Sequence, residues 1–242
     1  FTLSNQTNHI QTIYLGSGCF WGAEKGYEAL DGVINAKSGY ANGYGVSPNY
    51  RSIIQLKNKF NKNNFAEVVE VTFNNNFITV EEILMHFFES HDPTQYNRQG
   101  NDIGTQYRST ILYSDDDQKE IAEMLKKKYQ NLLSDYGYGS IKTIIEPLDN
   151  FYLAEEYHQD YLKKNPNGYC PDLSTGIVFN KEEIKPLDNT ELTKGKHILV
   201  IDSRNYCPYC EKLKSDVTND YKGSIPMTYR TVSYTHLTLP TK

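Results

Sequence analysis

The sequence has few of the features that mark membrane-spanning or nucleic-acid-binding proteins. Its 242 residues contain one tryptophan, three methionines and four cysteines, and no apolar run approaches the length needed to cross a bilayer. Lys and Arg number 25 against 30 Asp and Glu, which gives a net charge of -5 and leaves no basic stripe. This balance argues against a protein that binds the nucleic-acid backbone. With 38% hydrophobic and 23% charged residues, the chain fits a soluble globular protein.

The amino terminus has neither an initiator methionine nor a recognisable signal peptide. The sequence begins at Phe1, so we expect its start to be missing or processed. The cytoplasm is therefore only the default compartment, and export to the periplasm is the alternative.

The four cysteines are too few and too unevenly spaced for paired zinc knuckles, because only one CxxC is present. No metal site is predicted. Two interpretations of the count stay open. Structural disulfides would require an oxidising compartment, whereas a redox-catalytic set would use one attacking thiol, one resolving thiol and one CxxC pair. The four positions are Cys19, Cys170, Cys207 and Cys210.

Residues 18–22 read Gly-Cys-Phe-Trp-Gly, between a short apolar run and a helical pattern. At such a junction the helix N-H groups and dipole would lower the pKa of the Cys19 thiol and make it a nucleophile. The alternative is a small buried cysteine with no chemistry. Phe20 and Trp21 are either core residues or the walls of a pocket for a small, partly apolar group.

Residues 10–180 alternate strand-like and helix-like patterns, which predicts a mixed α/β domain whose helices cover a sheet. Val69, Val71 and Phe73 alternate with polar residues, as in a half-buried strand. The preferred topology is a split βαβ arrangement with long loops. Other strands are predicted over residues 13–15, 33–36, 108–113 and 141–145.

Helix boundaries follow from capping and breaking residues. Thr79 and Glu82 have the spacing of a capping box, which predicts a helix that begins there and ends near His91. Three consecutive aspartates starting at Asp115 open the next predicted helix. A further helix is predicted over residues 151–164, and a loop rich in glycine and tyrosine over residues 39–50.

Several polar residues are candidates for a binding or catalytic site. Glu67 begins an apolar strand, where a glutamate usually faces solvent; if it is buried, its pKa rises and it can act as a general acid. Residues 99–108 are strongly polar and form either a solvated loop or a wall that fixes a polar ligand. Tyr40 belongs to the glycine-rich loop and is not distinctive by itself. Cys170 follows the last predicted helix, where a mobile thiol could capture a sulfenic acid or remain inert.

A change in composition at residues 181–196 predicts a linker. Beyond it, a buried strand at residues 198–201 precedes Cys207 and Cys210, and helical spacing follows, as at the start of a thioredoxin-like unit. Too few residues follow Cys210 to complete that fold. The last ten residues resemble a translated cloning linker, so we expect the thioredoxin-like segment to be truncated. Two interpretations follow: a fused reductant, or an incomplete fragment with no stable fold, and the second is preferred.

Together these motifs resemble the A family of peptide methionine sulfoxide reductases over roughly residues 10–180. Four motifs match in order, and in combination they are very specific: Gly-Cys-Phe-Trp-Gly at residues 18–22, His-Asp-Pro-Thr at 91–94, the block at 100–108 and Asn-Pro-Asn-Gly-Tyr-Cys at 165–170. The resemblance implies a two-layer α/β sandwich of ferredoxin-like type. One departure is Asn64-Phe65, where the family commonly has Gly-His before Ala-Glu, which puts local substrate contacts in question.

The resemblance assigns the first half of a reaction. Cys19 would attack the sulfoxide sulfur, and Phe20 and Trp21 would form an apolar cradle for the substrate methyl group. Glu67 would donate a proton. The remaining assignments are Tyr40 and Tyr107 for the sulfoxide oxygen and Asp102 for the substrate backbone.

The resemblance also assigns the second half. Cys170 would resolve the sulfenic acid as an intramolecular disulfide, which a thioredoxin-like dithiol would reduce. No bound cofactor is implied. The pair Cys207 and Cys210 would then be a reductant fused to the catalytic domain, which raises its effective concentration.

The resulting hypothesis is a monomeric enzyme that reduces methionine (S)-S-oxide, free or in oxidised proteins, and so repairs them. Its predicted organisation is a catalytic domain at residues 1–180, a linker at 181–196 and a truncated thioredoxin-like segment at 197–242. Two rivals remain: a general thiol-disulfide oxidoreductase centred on Cys207 and Cys210, and a binding module that only recognises oxidised methionine.

Overall fold

A computed structural model describes residues 9–45, 47–179, 198–203, 225 and 227–232. The chain divides into two compact units, Phe1–Phe179 and Asn180–Lys242. The larger unit holds the extended sheet and every helix of the described ranges.

The larger unit is built on a six-stranded sheet in the order β7-β6-β1-β3-β2-β8. Neighbouring strands pair antiparallel except β6 with β7, which are parallel. The six strands are β1 Ile10–Gly16, β2 Val33–Ala41, β3 Ala66–Asn74, β6 Thr110–Tyr113, β7 Ile144–Pro147 and β8 Phe151–Leu153. Two short strands, β4 Arg98–Gln99 and β5 Asp102–Ile103, form a separate hairpin.

The helices cross between these strands and cover the sheet. They are α1 Phe20–Glu28, α2 Tyr50–Ile53, α3 Val80–Glu89, α4 Asp116–Asp135 and α5 Tyr161–Lys164, with 3-10 turns at Leu56–Asn58 and Thr105–Tyr107. The central order β6-β1-β3-β2, with α1 between β1 and β2 and α3 between β3 and β6, is the ferredoxin-like βαββαβ arrangement. The predicted mixed α/β fold is therefore confirmed.

The core lies between the sheet and the helices. Residues 66–69 of β3 are buried on both faces, whereas in the second half of the strand Val71 and Phe73 are buried and alternate with partly exposed residues, because successive side chains of a strand point to opposite faces. The capping box at the start of α3 is present, with the Thr79 and Glu82 side chains each bonded to the other's backbone N-H. Asp115 accepts a hydrogen bond from the Gln118 N-H at the start of α4, as the aspartate run predicts.

One predicted element is wrong, and others have different limits. Residues 151–164 do not form a helix: Phe151–Leu153 is an edge strand paired with β2, and only Tyr161–Lys164 is helical. The sequence signal for this helix was the spacing of its apolar residues, but residues 151–153 instead form hydrogen bonds to the free edge of β2. Strand β2 extends to Ala41, so Tyr40 lies in the sheet and not in a loop.

In the smaller unit, β9 Ile198–Ser203 and β10 Met227–Val232 form a parallel pair. The predicted strand at residues 198–201 is thus present. Cys207, Cys210 and the helical pattern after them lie outside the described residues.

Candidate active site

Cys19 lies at the junction of β1 and α1, where it is the residue that precedes the first turn of the helix. The turn into the helix requires Gly18, whose φ of 98° is in the left-handed region; a Cβ there would lie 2.7 Å from the Gln99 side chain. Sequence analysis therefore placed Cys19 correctly at a strand-to-helix turn.

The electrostatic prediction for this thiol is wrong. Burial raises the pKa of Cys19 well above its ordinary value, and the nearby Glu67 carboxyl raises it further. The backbone N-H of Trp21 stabilises the thiolate but offsets only part of that rise. Because desolvation outweighs the helix N-terminus, Cys19 is a neutral thiol at neutral pH.

Glu67 lies in β3 with 1% of its surface exposed, which settles the sequence alternative in favour of the buried one. The Phe20 N-H donates to its Oε2 at 3.3 Å, while Oε1 has no hydrogen-bond partner. Burial raises the pKa of Glu67 to about 8, the Phe20 N-H lowers it and the Asp102 charge raises it. The carboxyl is therefore largely protonated at neutral pH, as a general acid must be.

Phe20 and Trp21 lead into a cluster of aromatic rings. Phe20 is buried, and its ring centroid lies 5.1 Å from that of His158. The Trp21 indole stacks on Tyr161 with centroids 3.8 Å apart and donates from Nε1 to His158 Nδ1 at 3.0 Å. These contacts fix the plane of the indole beside the thiol.

The hydroxyl of Tyr40, which the sequence resemblance assigned to the sulfoxide oxygen, has a partner within the protein. The hydroxyl of Tyr40 donates a 2.7 Å hydrogen bond to Glu155, and the side chain is fully buried. Tyr50, at the start of α2, is a second candidate: burial raises its pKa, and the charges of Glu67 and Cys19 raise it further. Glu67 also raises the pKa of Tyr40, after burial and Glu155. The assignment of Tyr40 therefore stays a prediction, with its hydroxyl bonded to Glu155 in the structure.

Tyr107 closes the 3-10 turn at Thr105–Tyr107 and belongs to the same group. Burial raises its pKa most, and Glu67, Tyr50, Asp102 and Cys19 add to the rise in that order. Two phenols and one carboxyl, all in their neutral forms at neutral pH, are therefore within electrostatic reach of the Cys19 thiol. Such hydroxyls are hydrogen-bond donors to an oxygen that gains negative charge.

The polar segment at residues 99–108 contains Asp102, which lines a cavity, and Arg108, which holds neighbouring loops together. Asp102 is half-buried, and burial raises its pKa. Arg108 is buried and donates to three backbone carbonyl oxygens: Asn64 at 2.9 Å, Thr105 at 2.9 Å and Asn42 at 3.1 Å. Arg108 thus ties together the loops that carry the site tyrosines.

The departure at Asn64-Phe65 concerns packing within the protein. Asn64 is buried and donates to the carbonyl oxygens of Ile53 and Asn58 at 2.9 and 3.3 Å. The Phe65 ring is buried and meets the Tyr152 ring edge-on, with centroids 5.7 Å apart. Both residues therefore hold the loop between α2 and β3.

Cys170 is a free, exposed thiol on the segment that follows α5. It lies close to α1, because a Cβ built at Gly22 would be 3.2 Å from its Sγ. A cavity of about 280 Å³ is lined by both Cys19 and Cys170, together with Asp102 and Tyr169. A second cavity of about 190 Å³ contains none of the predicted site residues.

The residues that sequence reasoning missed are Tyr50, Glu155 and His158. Tyr50 is one of 20 tyrosines and is the last residue of the predicted glycine- and tyrosine-rich loop, so no sequence signal set it apart. Glu155 and His158 were hidden by the wrong helix at residues 151–164. In the structure Glu155 accepts from the Tyr40 hydroxyl at 2.7 Å and from the Tyr50 N-H at 2.9 Å, so it links the two tyrosines.

Within the described ranges, no group of three His, Cys, Asp or Glu side chains is arranged as a metal site. None of the helices in those ranges has the length and apolar character needed to traverse a bilayer. The site described above therefore consists of thiol, carboxyl and aromatic groups.

A partly buried thiol, a protonated carboxyl and a second thiol on one ferredoxin-like scaffold define a cysteine-dependent oxidoreductase. The sequence model of peptide methionine sulfoxide reductase matches residues 11–185. The chain belongs to this family, and its reaction is the reduction of methionine sulfoxide.

Individual relatives agree with this membership. A Vibrio parahaemolyticus peptide methionine sulfoxide reductase MsrA is 46% identical over 172 residues, which cover 71% of this chain and 79% of the relative. The human mitochondrial enzyme is 46% identical over 167 residues, or 69% of each chain. The solved structure of Corynebacterium diphtheriae methionine sulfoxide reductase A superposes with a TM-score of 0.62 at 40% identity, covering 73% of this chain and 84% of that one.

Proposed function

We propose that this chain reduces the S epimer of methionine sulfoxide in a two-cysteine cycle, with Cys19 as nucleophile, Glu67 as acid and Cys170 as resolving thiol. The observation that carries the assignment is the buried Glu67 carboxyl, held by the N-H of Phe20, the residue next to Cys19. A protonated acid at this position supplies what an unactivated sulfoxide lacks, which is a proton on the oxygen that must leave sulfur.

In the first half of the cycle, the Cys19 sulfur attacks the sulfoxide sulfur and an S-S bond forms. Glu67 protonates the sulfoxide oxygen, and Tyr50 and Tyr107 donate hydrogen bonds to it. The oxygen then passes to the Cys19 sulfur as the substrate S-O bond and the S-S bond break, so that the sulfoxide sulfur is reduced, methionine leaves and Cys19 is oxidised to a sulfenic acid. The thiol proton of Cys19 replaces the proton that Glu67 has given to the oxygen. The neutral state of Cys19 supports this accounting, because the thiol brings the proton that Glu67 gives away.

The substrate is held by the aromatic and polar walls of the cleft. Phe20 and Trp21 form the apolar surface for the substrate methyl group, and the indole plane is fixed by His158 and Tyr161. Asp102 lines the cavity shared with Cys170 and binds the substrate backbone N-H groups. Free methionine sulfoxide and oxidised methionine in proteins both carry these groups.

In the second half of the cycle, the Cys170 thiol attacks the Cys19 sulfenic acid. The S-S bond forms, the S-O bond breaks, and water leaves with the thiol proton of Cys170. A thioredoxin-like dithiol then reduces the disulfide. We assign the catalytic unit to residues 1–180, a linker to 181–196 and a CxxC-bearing, thioredoxin-like segment to 197–242.

We also propose that the protein acts as a monomer. Each residue assigned a role in the cycle lies in the unit Phe1–Phe179 of one chain. We propose the cytoplasm as the compartment, with export as the alternative; fractionation of cells that produce the protein distinguishes the two.

The test is turnover of the full chain driven by dithiothreitol on each sulfoxide epimer separately. We expect activity on the S epimer alone, loss in Cys19→Ser and full retention in the double variant Cys207→Ser/Cys210→Ser. Loss in the CxxC variant with retention in Cys19→Ser would instead identify a general thiol-disulfide oxidoreductase. Binding without turnover in the unchanged chain would identify a recognition module.

The resolving role has a separate readout. Reduced protein given one equivalent of sulfoxide should yield a Cys19–Cys170 disulfide in a peptide mass map. A persistent sulfenic acid on Cys19 would show that the external thiol reduces it directly and would reject the role of Cys170.

A further inference from the structure

The second glycine of the Gly-Cys-Phe-Trp-Gly segment faces the second thiol. Gly22 lies in the first turn of α1, three residues after Cys19, and residues three apart in a helix lie on one face. A Cβ built at Gly22 would be 3.2 Å from Cys170 Sγ, and no other atom outside its own surroundings lies within 4 Å of that point. A side chain at residue 22 would therefore contact the Cys170 sulfur before any other group.

The segment that carries Cys170 is fastened at both ends. On one side Gly168 packs closely on the Leu162 and Tyr161 side chains. On the other side Leu173 lies against Gly100, and further along the Ile177 carbonyl oxygen accepts a 2.7 Å hydrogen bond from the Tyr129 hydroxyl. A side chain at residue 22 could thus not be accommodated by moving the whole segment aside without breaking these contacts.

We propose that Gly22 is a positioning residue for the second half-reaction, because its missing side chain leaves the space through which the Cys170 sulfur reaches Cys19. The inference rests on the proposed resolving role of Cys170. A disulfide needs the two Cβ atoms about 3.5–4.5 Å apart, so a methyl group between the sulfur and α1 obstructs the approach. Gly22 lines the same cavity as Cys19, Asp102 and Cys170, but the Cys170 sulfur is the atom that an added methyl group would meet within 4 Å, so we expect disulfide formation to be slowed far more than sulfoxide reduction.

The step affected is the condensation of the Cys19 sulfenic acid with the Cys170 thiol. Cys170 is oxidised, the sulfenic sulfur is reduced, the S-O bond is replaced by an S-S bond, and water leaves. A methyl group at residue 22 slows this step far more than the preceding methionine release. The sulfenic acid should then accumulate.

The same helix offers a matched control. Gly26 lies one turn further along α1, and a Cβ there would be 3.1 Å from His86 Nε2, a comparable distance to a group that does not react. Alanine in place of either glycine raises helix propensity by a similar amount. Gly22→Ala and Gly26→Ala therefore differ in which side chain they obstruct.

The experiment gives reduced full-length protein one equivalent of the S sulfoxide without external thiol. Methionine release, dimedone-trapped sulfenic acid and the Cys19–Cys170 disulfide are each followed in time. In Gly22→Ala we expect methionine release within about twofold of the unchanged chain, disulfide formation slower by about tenfold, and a larger dimedone adduct. Gly26→Ala should match the unchanged chain in all three.

Disulfide formation at the unchanged rate in Gly22→Ala, or slow methionine release that persists in a Cys170→Ser background, would overturn the proposal. Equal slowing in Gly26→Ala would overturn it too, since the effect would then belong to the helix. Absence of the disulfide from the unchanged chain would instead reject the role of Cys170. Should Gly22→Ala fold poorly by circular dichroism, Gly22→Ser gives the same comparison.

Discussion

The Phe20 N-H and the Glu67 Oε2 are 3.3 Å apart, so the first residue of helix α1 contacts the carboxyl buried in β3. Cys19, the proposed nucleophile, precedes that helix, and Glu67, the proposed acid, lies in the sheet. The hydrogen bond links the backbone next to Cys19 to the Glu67 carboxyl. Among the described residues Glu67 Oε1 has no hydrogen-bond partner, so this oxygen is available to carry the proton that the proposed mechanism needs.

Replacement of the Glu67 carboxyl should lower kcat/KM and remove the decrease of kcat/KM at high pH. The pKa of Glu67 is about 8, so kcat/KM of the unchanged chain should fall as pH rises through about 8. Glu67→Gln should reduce kcat/KM by about 10²–10⁴-fold, the contribution of a positioned general acid, and should lack that fall. Glu70→Gln, three residues along the same strand, is the control. A fall near pH 8 that persists in Glu67→Gln would contradict the assignment.

The same carboxyl should make stability depend on pH. The folded-state pKa of Glu67 is raised from 4.5 to about 8, so the folded protein holds a proton that the unfolded chain releases between these values. Its contribution is fully present below pH 4.5 and is lost as pH rises to about 8, at up to about 1.4 kcal/mol per pH unit. When the free energy of unfolding is measured by urea denaturation between pH 4.5 and 8, it should fall less steeply with pH in Glu67→Gln than in Glu70→Gln.

Local sequence patterns predicted those parts of the fold that local forces decide. The Thr79–Glu82 capping box and the Asp115 cap both exist, because each is a contact between residues three apart. The helix at residues 151–164 failed for the opposite reason. Phe151–Leu153 pairs with β2, more than a hundred residues earlier, and no local pattern records the availability of that sheet edge.

In the candidate site, too, local patterns predicted the positions of residues but not the properties that depend on the tertiary fold. Cys19 and Glu67 were found because each lies at the boundary of a recognisable element. Tyr40 was assigned by the family resemblance, and Tyr50 was not considered because it stands in the same tyrosine-rich stretch; in the structure the Tyr40 hydroxyl and the Tyr50 N-H both donate to Glu155. The pKa of Cys19 was misjudged because burial, the larger effect, depends on the tertiary fold.

Tyr50 and Tyr40 should separate catalysis from stability. Tyr50→Phe removes a hydroxyl from the group around Glu67 and should lower kcat/KM by about 10²-fold, as for one donor to a developing oxyanion. Tyr40→Phe removes the 2.7 Å bond to Glu155 and should lower the free energy of unfolding by about 1–3 kcal/mol. Steady-state kinetics and urea denaturation on both variants measure the two effects. A larger catalytic loss in Tyr40→Phe would instead support the assignment of Tyr40.

His158 should act on catalysis through Trp21. Burial lowers the pKa of His158, so its ring stays neutral near pH 7 and Nδ1 accepts from the indole N-H. His158→Phe removes this acceptor and should raise KM for the sulfoxide several-fold, about 1 kcal/mol of binding, with a smaller change in kcat. His158→Asn can place an amide oxygen near the former Nδ1 and should restore part of the loss. In a Trp21→Phe background, which has no N-H to hold, His158→Phe should have little further effect. A full additive loss there would show that His158 acts independently of the indole.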